Sequence, residues 1–116
     1  MKDFRELQVW QKAHKLTLEV YKASSGFPKV EMYGLSAQIR RAVASIATNI
    51  AEGCGRGSNK ELKQFLQISM GSASEVEYQI LLSHDLGYMN SEAFGNLIAA
   101  IQEVKKMLSS YIVKIN

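Results

Sequence analysis

Apolar positions recur along this chain at helical spacing. Leu35, Ile39, Val43, Ile46 and Ile50 follow one another at steps of four, four, three and four. Such steps fall on one stripe of a helix with 3.6 residues per turn. A second stripe carries Gln38, Arg41, Ser45, Asn49 and Glu52, and a third carries Ala37, Ala44 and Ala51. Only three of the seventeen residues from Ser36 to Glu52 are charged: Arg40, Arg41 and Glu52. A helix with one wet side normally shows a broad charged face, so this segment reads as a central rod covered on most sides.

The same reasoning along the rest of the chain predicts helices over about 3–23, 33–54, 58–86 and 91–114. Asp3 is placed to cap the first, whose inner face reads as Leu7, Trp10, Ala13, His14, Thr17, Val20 and Tyr21, with Trp10 as a core anchor. Gly26 and Pro28 break the pattern, and Phe27 is expected to plug the core from that loop. Gly53 to Gly57 ends the second helix. Ser58 or Asn59 opens the third, with Glu61 completing a capping box. Its inner stripe is Leu62, Phe65, Leu66, Ser69, Ala73, Val76 and Ile80. Gly87 separates it from a fourth helix capped by Asn90 or Ser91, with Phe94, Leu97, Ile98, Ile101, Val104, Leu108, Tyr111, Ile112 and Ile115 as its heptad-like apolar pattern. Short links after the second and third helices predict an all-α, antiparallel up-down-up-down four-helix bundle, a single domain over residues 1–116.

Folding the third helix back along the second brings Arg41 level with Glu75. The expectation is a buried or half-buried polar cluster of Arg41, Asn49, Glu52, Glu75 and Glu77 that fixes the register of the two helices. Ala37, Ala44 and Ala51 face away from the isoleucine stripe. Small side chains permit close helix approach, so this edge is expected to meet a second copy of the chain.

Composition adds a mild bias. The 116 residues are 47% hydrophobic and 22% charged, with a net charge of +3. A pI near 9.0 is compatible with an RNA or DNA partner without requiring one. The basic candidates are Arg5, Lys12, Lys15 and Lys22 on the outer side of the first helix, with Glu19 placed to pair with Lys15, together with Arg40, Arg56, Lys60 and Lys63. Chemistry is harder to find. Cys54 is the only cysteine, His14 and His84 stand far apart, and no HExxH or paired-cysteine spacing occurs. The glycine run at Gly53–Gly57 follows a helix and lacks the Gly-Lys-Ser/Thr ending of a phosphate loop. No enzyme activity, metal or cofactor is expected. With no signal-peptide pattern and no apolar run near the roughly 20 residues of a membrane span, the expected location is the cytoplasm.

The residues Phe4, Leu7, Val9-Trp10, Phe27-Pro28, Tyr33-Gly34-Leu35, Gln38-Ile39-Arg40-Arg41-Ala42, Ser45-Ile46, Asn49-Ile50-Ala51-Glu52-Gly53, Gly55-Arg56 and Gly71-Ser72 occur in this order. In this, nearly the whole chain resembles the four-helix-bundle family encoded in intervening sequences of bacterial large-subunit ribosomal RNA genes. That family is similar in turn to the accessory variability proteins of diversity-generating retroelements, which are pentameric barrels with more strongly basic surfaces. The resemblance implies a ring-shaped homo-oligomer, with a pentamer favoured, and an RNA or DNA partner. It implies no enzyme activity. A scaffold that holds a protein partner is the alternative.

Overall fold

The computed structural model describes residues 2–115. Four α-helices account for most of them: α1 (Gln8–Ser24), α2 (Leu35–Cys54), α3 (Asn59–Asp85) and α4 (Ser91–Lys114). Among the described residues there is no strand. Each helix packs against two neighbours, in the cyclic order α1, α2, α3, α4 and back to α1. The resulting bundle is 43 Å long.

Local chemistry sets the ends as expected. The Ser58 hydroxyl accepts from Glu61 N at 3.2 Å and so caps α3, but the Glu61 carboxylate accepts from that hydroxyl at 3.2 Å and not from the Ser58 amide, so only half of the expected capping box forms. Asn90 Oδ1 accepts from Ala93 N at 2.8 Å and opens α4. Gly87, with φ of 79°, makes the turn between them, where a side chain would be strained. Two short turns that the periodicity does not show lie outside the four helices. Phe4–Glu6 forms a 3-10 turn capped by Asp3, and Lys29–Glu31 forms another.

The first of these corrects the expected start of helix one. Leu7 is extended, with φ −80° and ψ 127°, so the α-helix begins only at Gln8. The phase of α1 changes as well. Val9, Ala13, Leu16, Val20 and Ser24 are buried. Trp10 is half-buried, and His14 and Tyr21 are exposed, so the expected inner face is rotated by about a quarter-turn. The stripe Val9-Ala13-Leu16-Val20 has the same spacing as the one read first, and packing against α2 and α4 selects it.

Ten residues of α2 are buried, more than in any other helix, and Val43, Ile46 and Ile50 have no exposure at all. They meet Leu66, Ala73, Val76 and Ile80 of α3 and Ile101 and Leu108 of α4 in one core. Small residues let α2 and α3 approach. A Cβ on Gly53 would lie 3.0 Å from Leu62 Cδ1 and from Phe65 Cβ, and 3.3 Å from the Leu62 carbonyl. The Gly53→Ala variant is therefore expected to lose about 1–3 kcal/mol in a urea denaturation measurement, as overpacked sites do.

The α1–α2 loop is tied down at three points. Phe27 is buried, with its ring 5.5 Å from that of Tyr88. The Glu31 carboxylate accepts from Leu35 N at 3.0 Å and from the Tyr88 hydroxyl at 2.9 Å. It thus caps α2 and joins the loop to the α3–α4 turn. These two bonds hold the Glu31 carboxyl below its ordinary value, the Leu35 amide contributing most. Because the native value is the lower one, the folded chain binds fewer protons there than the unfolded chain. The stabilisation is complete above pH about 4.5 and is lost as pH falls through the native value. Glu31→Gln should lower Tm at neutral pH and flatten the fall in Tm on acidification, read by circular dichroism at a series of pH values.

Candidate functional site

Three surfaces could carry function: the basic side chains, a groove between α1 and α2, and the outward face of α3.

The basic candidates are spread rather than clustered. Arg5 pairs with Asp3 at 3.0 Å, Lys12 with Glu103 of α4 at 3.3 Å, and Arg56 with Glu52 at 3.3 Å. Arg40 is committed to the end of α1. Its Nε donates to Ser24 Oγ at 2.7 Å, its Nη2 donates to the Tyr21 carbonyl at 3.1 Å, and its guanidinium stacks 4.9 Å from the Tyr21 ring. Among the described residues no ion pair engages Lys15, Lys22, Lys60 or Lys63, and the expected Lys15–Glu19 pair is absent. Lys15 and Lys22 lie at the middle and in the last turn of α1, whereas Lys60 and Lys63 lie at the start of α3, at the end of the bundle where α1 begins.

The expected polar cluster of Arg41, Asn49, Glu52, Glu75 and Glu77 does not form. Arg41, Glu52 and Glu75 are exposed. Glu77 points to α4, where it accepts from Lys105 Nζ at 2.8 Å, and that bond holds its carboxyl below its ordinary value. Hydroxyls and an amide take the place of charges at the α2–α3 seam. Ser45 Oγ and Ser72 Oγ lie 2.9 Å apart, Asn49 Nδ2 donates to Ser45 Oγ at 2.9 Å, and buried Ser69 donates to the Ile46 carbonyl at 2.9 Å. Satisfied hydroxyls cost less to bury than an ion pair.

The groove between α1 and α2 encloses about 750 Å³. Its wall is aromatic. Phe4 and Trp10 meet edge to face with centroids 4.9 Å apart, and Trp10 stacks on His14 at 4.9 Å with ring planes 8° apart. Ala44, Ala47 and Ala51 line its α2 side. The charged lining residues Glu52 and Arg56 bond to each other, and Arg56 also lies over the Phe65 ring at 4.8 Å. The shape suits an apolar side chain or a helix face more than a polar substrate. Ala37, Ala44 and Ala51 are all half-buried in the single chain. Cys54 is buried, and burial pushes its thiol pKa up, away from reactivity.

The outward face of α3 carries Ile68, Tyr78 and Leu81, which are 51%, 59% and 43% exposed. Sequence reasoning placed no function here. Yet the signal was present, since no lysine or arginine occurs between Lys63 and Lys105. Arg40 could not be placed in the same way, because its partners lie on another helix. Among the described residues, no group of His, Cys, Asp and Glu side chains could hold a metal ion, and no helix is long and apolar enough to cross a membrane.

Residues 5–110 of this four-helix chain match the family described as 23S rRNA-intervening sequence protein. The chain belongs to that family. A solved structure described as a protein with unknown function from the S23 ribosomal protein family of Bacteroides thetaiotaomicron superposes with a TM-score of 0.83 at 25% identity. The alignment covers 90% of this intervening-sequence protein and 94% of the solved chain. No curated protein matches. Neither the family description nor that of the solved structure names an activity.

The Arg40 contacts give a stability test within this surface. Arg40→Ala should cost about 1–2 kcal/mol in chemical denaturation, through loss of the bonds to Ser24 and Tyr21 and of the stacked cation. Arg40→Lys should recover only part of it, because one ammonium cannot reproduce the planar fork.

Proposed function

We propose that this intervening-sequence protein is a non-enzymatic, cytoplasmic helical bundle that assembles into a ring, with a pentamer favoured, and binds RNA or DNA through pooled basic side chains. The observation that carries the reading is the set of four lysines, Lys15, Lys22, Lys60 and Lys63, engaged by no ion pair among the described residues, on a chain of net charge +3. One copy offers a weak field. Several copies sum it, and the summed field binds by multivalency. The half-buried edge of Ala37, Ala44 and Ala51, beside the apolar groove, supports the assembly.

A gel-shift titration with a structured RNA tests the binding. The expected result is a shift at low salt that weakens steeply at moderate salt, because phosphate contacts release counterions. Replacing Lys15, Lys22, Lys60 and Lys63 with glutamine should weaken binding and flatten the salt dependence. No shift at low salt ends the reading.

One observation favours a protein-interaction scaffold as the second reading. Val30 and Tyr33 are 84% and 93% exposed on a loop whose neighbours Phe27 and Glu31 are firmly anchored. A rigid loop that presents apolar side chains to water is a common form of protein contact. That reading expects a specific protein to copurify and to stay bound after nuclease treatment.

A further inference from the structure

We infer that the outward face of α3 in one copy docks on the outward face of α2 in the next, with Glu75 of one copy paired to Arg41 of its neighbour. This rests on the self-association proposed above and names its surface.

The bundle has two unlike flanks. Exposed α1 and α4 are rich in charge, including Lys12, Lys15, Glu19, Glu103 and Lys106. Exposed α2 and α3 are poor in it. From Ala37 to Glu52 the outward α2 residues carry Arg41 and Glu52 alone as charges, and from Gln64 to Leu81 the outward α3 residues carry Glu75 alone. Depletion of charge with retention of large apolar side chains is the compositional mark of an interface centre. The two strips also differ in relief. The α2 strip is low, built on Ala37, Ala44 and Thr48 beside the groove, whereas the α3 strip is raised by Ile68 and Tyr78. A raised strip fits a low one better than it fits itself, which points to a head-to-tail contact between different faces.

Register supplies the pairing. The Ser45–Ser72 hydroxyl contact fixes which residues of α2 and α3 are level. One turn from it, towards the start of α2 and the end of α3, stand Arg41 and Glu75. Both are exposed, and no ion pair joins them within the chain. Rotation about an axis parallel to the bundle keeps each residue at its level. Residues that are level in one chain therefore face each other between neighbouring copies. Glu75 then meets Arg41, Tyr78 meets Ala37, and Ile68 meets Thr48 at the groove. The strips lie on adjacent helices, so each contact turns a corner, as closure into a ring requires.

Light scattering on the intact chain, at one concentration and moderate salt, tests this. The wild type is expected to be an oligomer. Arg41→Glu and Glu75→Arg alone should each weaken assembly by about tenfold or more, through like charges facing each other. The double variant should regain the wild-type mass. Lys106→Glu on the charge-rich flank should leave the mass unchanged. Both altered positions are exposed, and unchanged helicity by circular dichroism excludes misfolding. A monomeric wild type overturns the self-association reading and this inference together. An oligomeric wild type with single variants of unchanged mass overturns this inference alone. So does loss of assembly that the double variant does not restore, or an equal loss in Lys106→Glu.

Discussion

The seam between α2 and α3 governs the rest of the molecule. These helices can lie close because Gly53, Ser45, Ser69, Ser72 and Ala73 put little bulk between them. Close approach leaves no room for a long charged side chain, and it removes the water that would solvate one. At the centre of the seam the polar groups are short and paired, Ser69 on the Ile46 carbonyl and Ser45 on Ser72 and Asn49, while farther along α3 buried Gln79 donates to Glu75 and leaves its Oε1 without a partner among the described residues. Buried hydroxyls left unpaired would cost about 1–3 kcal/mol apiece, so the bonds act as a register lock as well as a dowel. A slip by one helical turn would break both bonds that cross between the helices, Ser45 to Ser72 and Ser69 to the Ile46 carbonyl.

That constraint explains where sequence reasoning succeeded and where it failed. The four helices were legible because the apolar stripes are long and Ser58, Asn90 and Gly87 mark their ends. The level of Arg41 with Glu75 was legible too, since the short turn after Gly57 fixes it. The burial of that pair was not. Periodicity ranks faces by polarity, and it placed Arg41 and Glu75 on the seam when they stand just outside it. For α1 two stripes of equal spacing competed, and the tertiary neighbours chose the one with Leu16 over the one with Trp10. Leu7 added to the error, because its extended backbone resets the start of the helix.

The basic candidates show a different limit. Sequence counts cations, but a structure spends them. Arg40 holds the end of α1, and Arg5, Lys12 and Arg56 sit against carboxylates. Exposed ion pairs of this kind contribute only about 0–1 kcal/mol each to stability. Their larger effect is on the field outside the protein, which they largely cancel. What a polyanion would meet on one copy is a few lysines spread along a 43 Å bundle.

The proposed assembly and the proposed binding would be linked by geometry. Ile68, Tyr78 and Leu81 expose apolar area on a flank that carries almost no charge to keep copies apart. Burying that area against the low surface of α2 removes it from water. It also turns Lys15 and Lys22 of α1 away from the contact. In a ring built this way the charge-poor flanks face one another, and the lysines of α1 repeat around the outside at a fixed spacing. A polyanion would then be held by repetition rather than by any single site, since no single copy offers a cluster. The same seam that sets Arg41 level with Glu75 inside the chain would thus set the spacing of the charges displayed outside it.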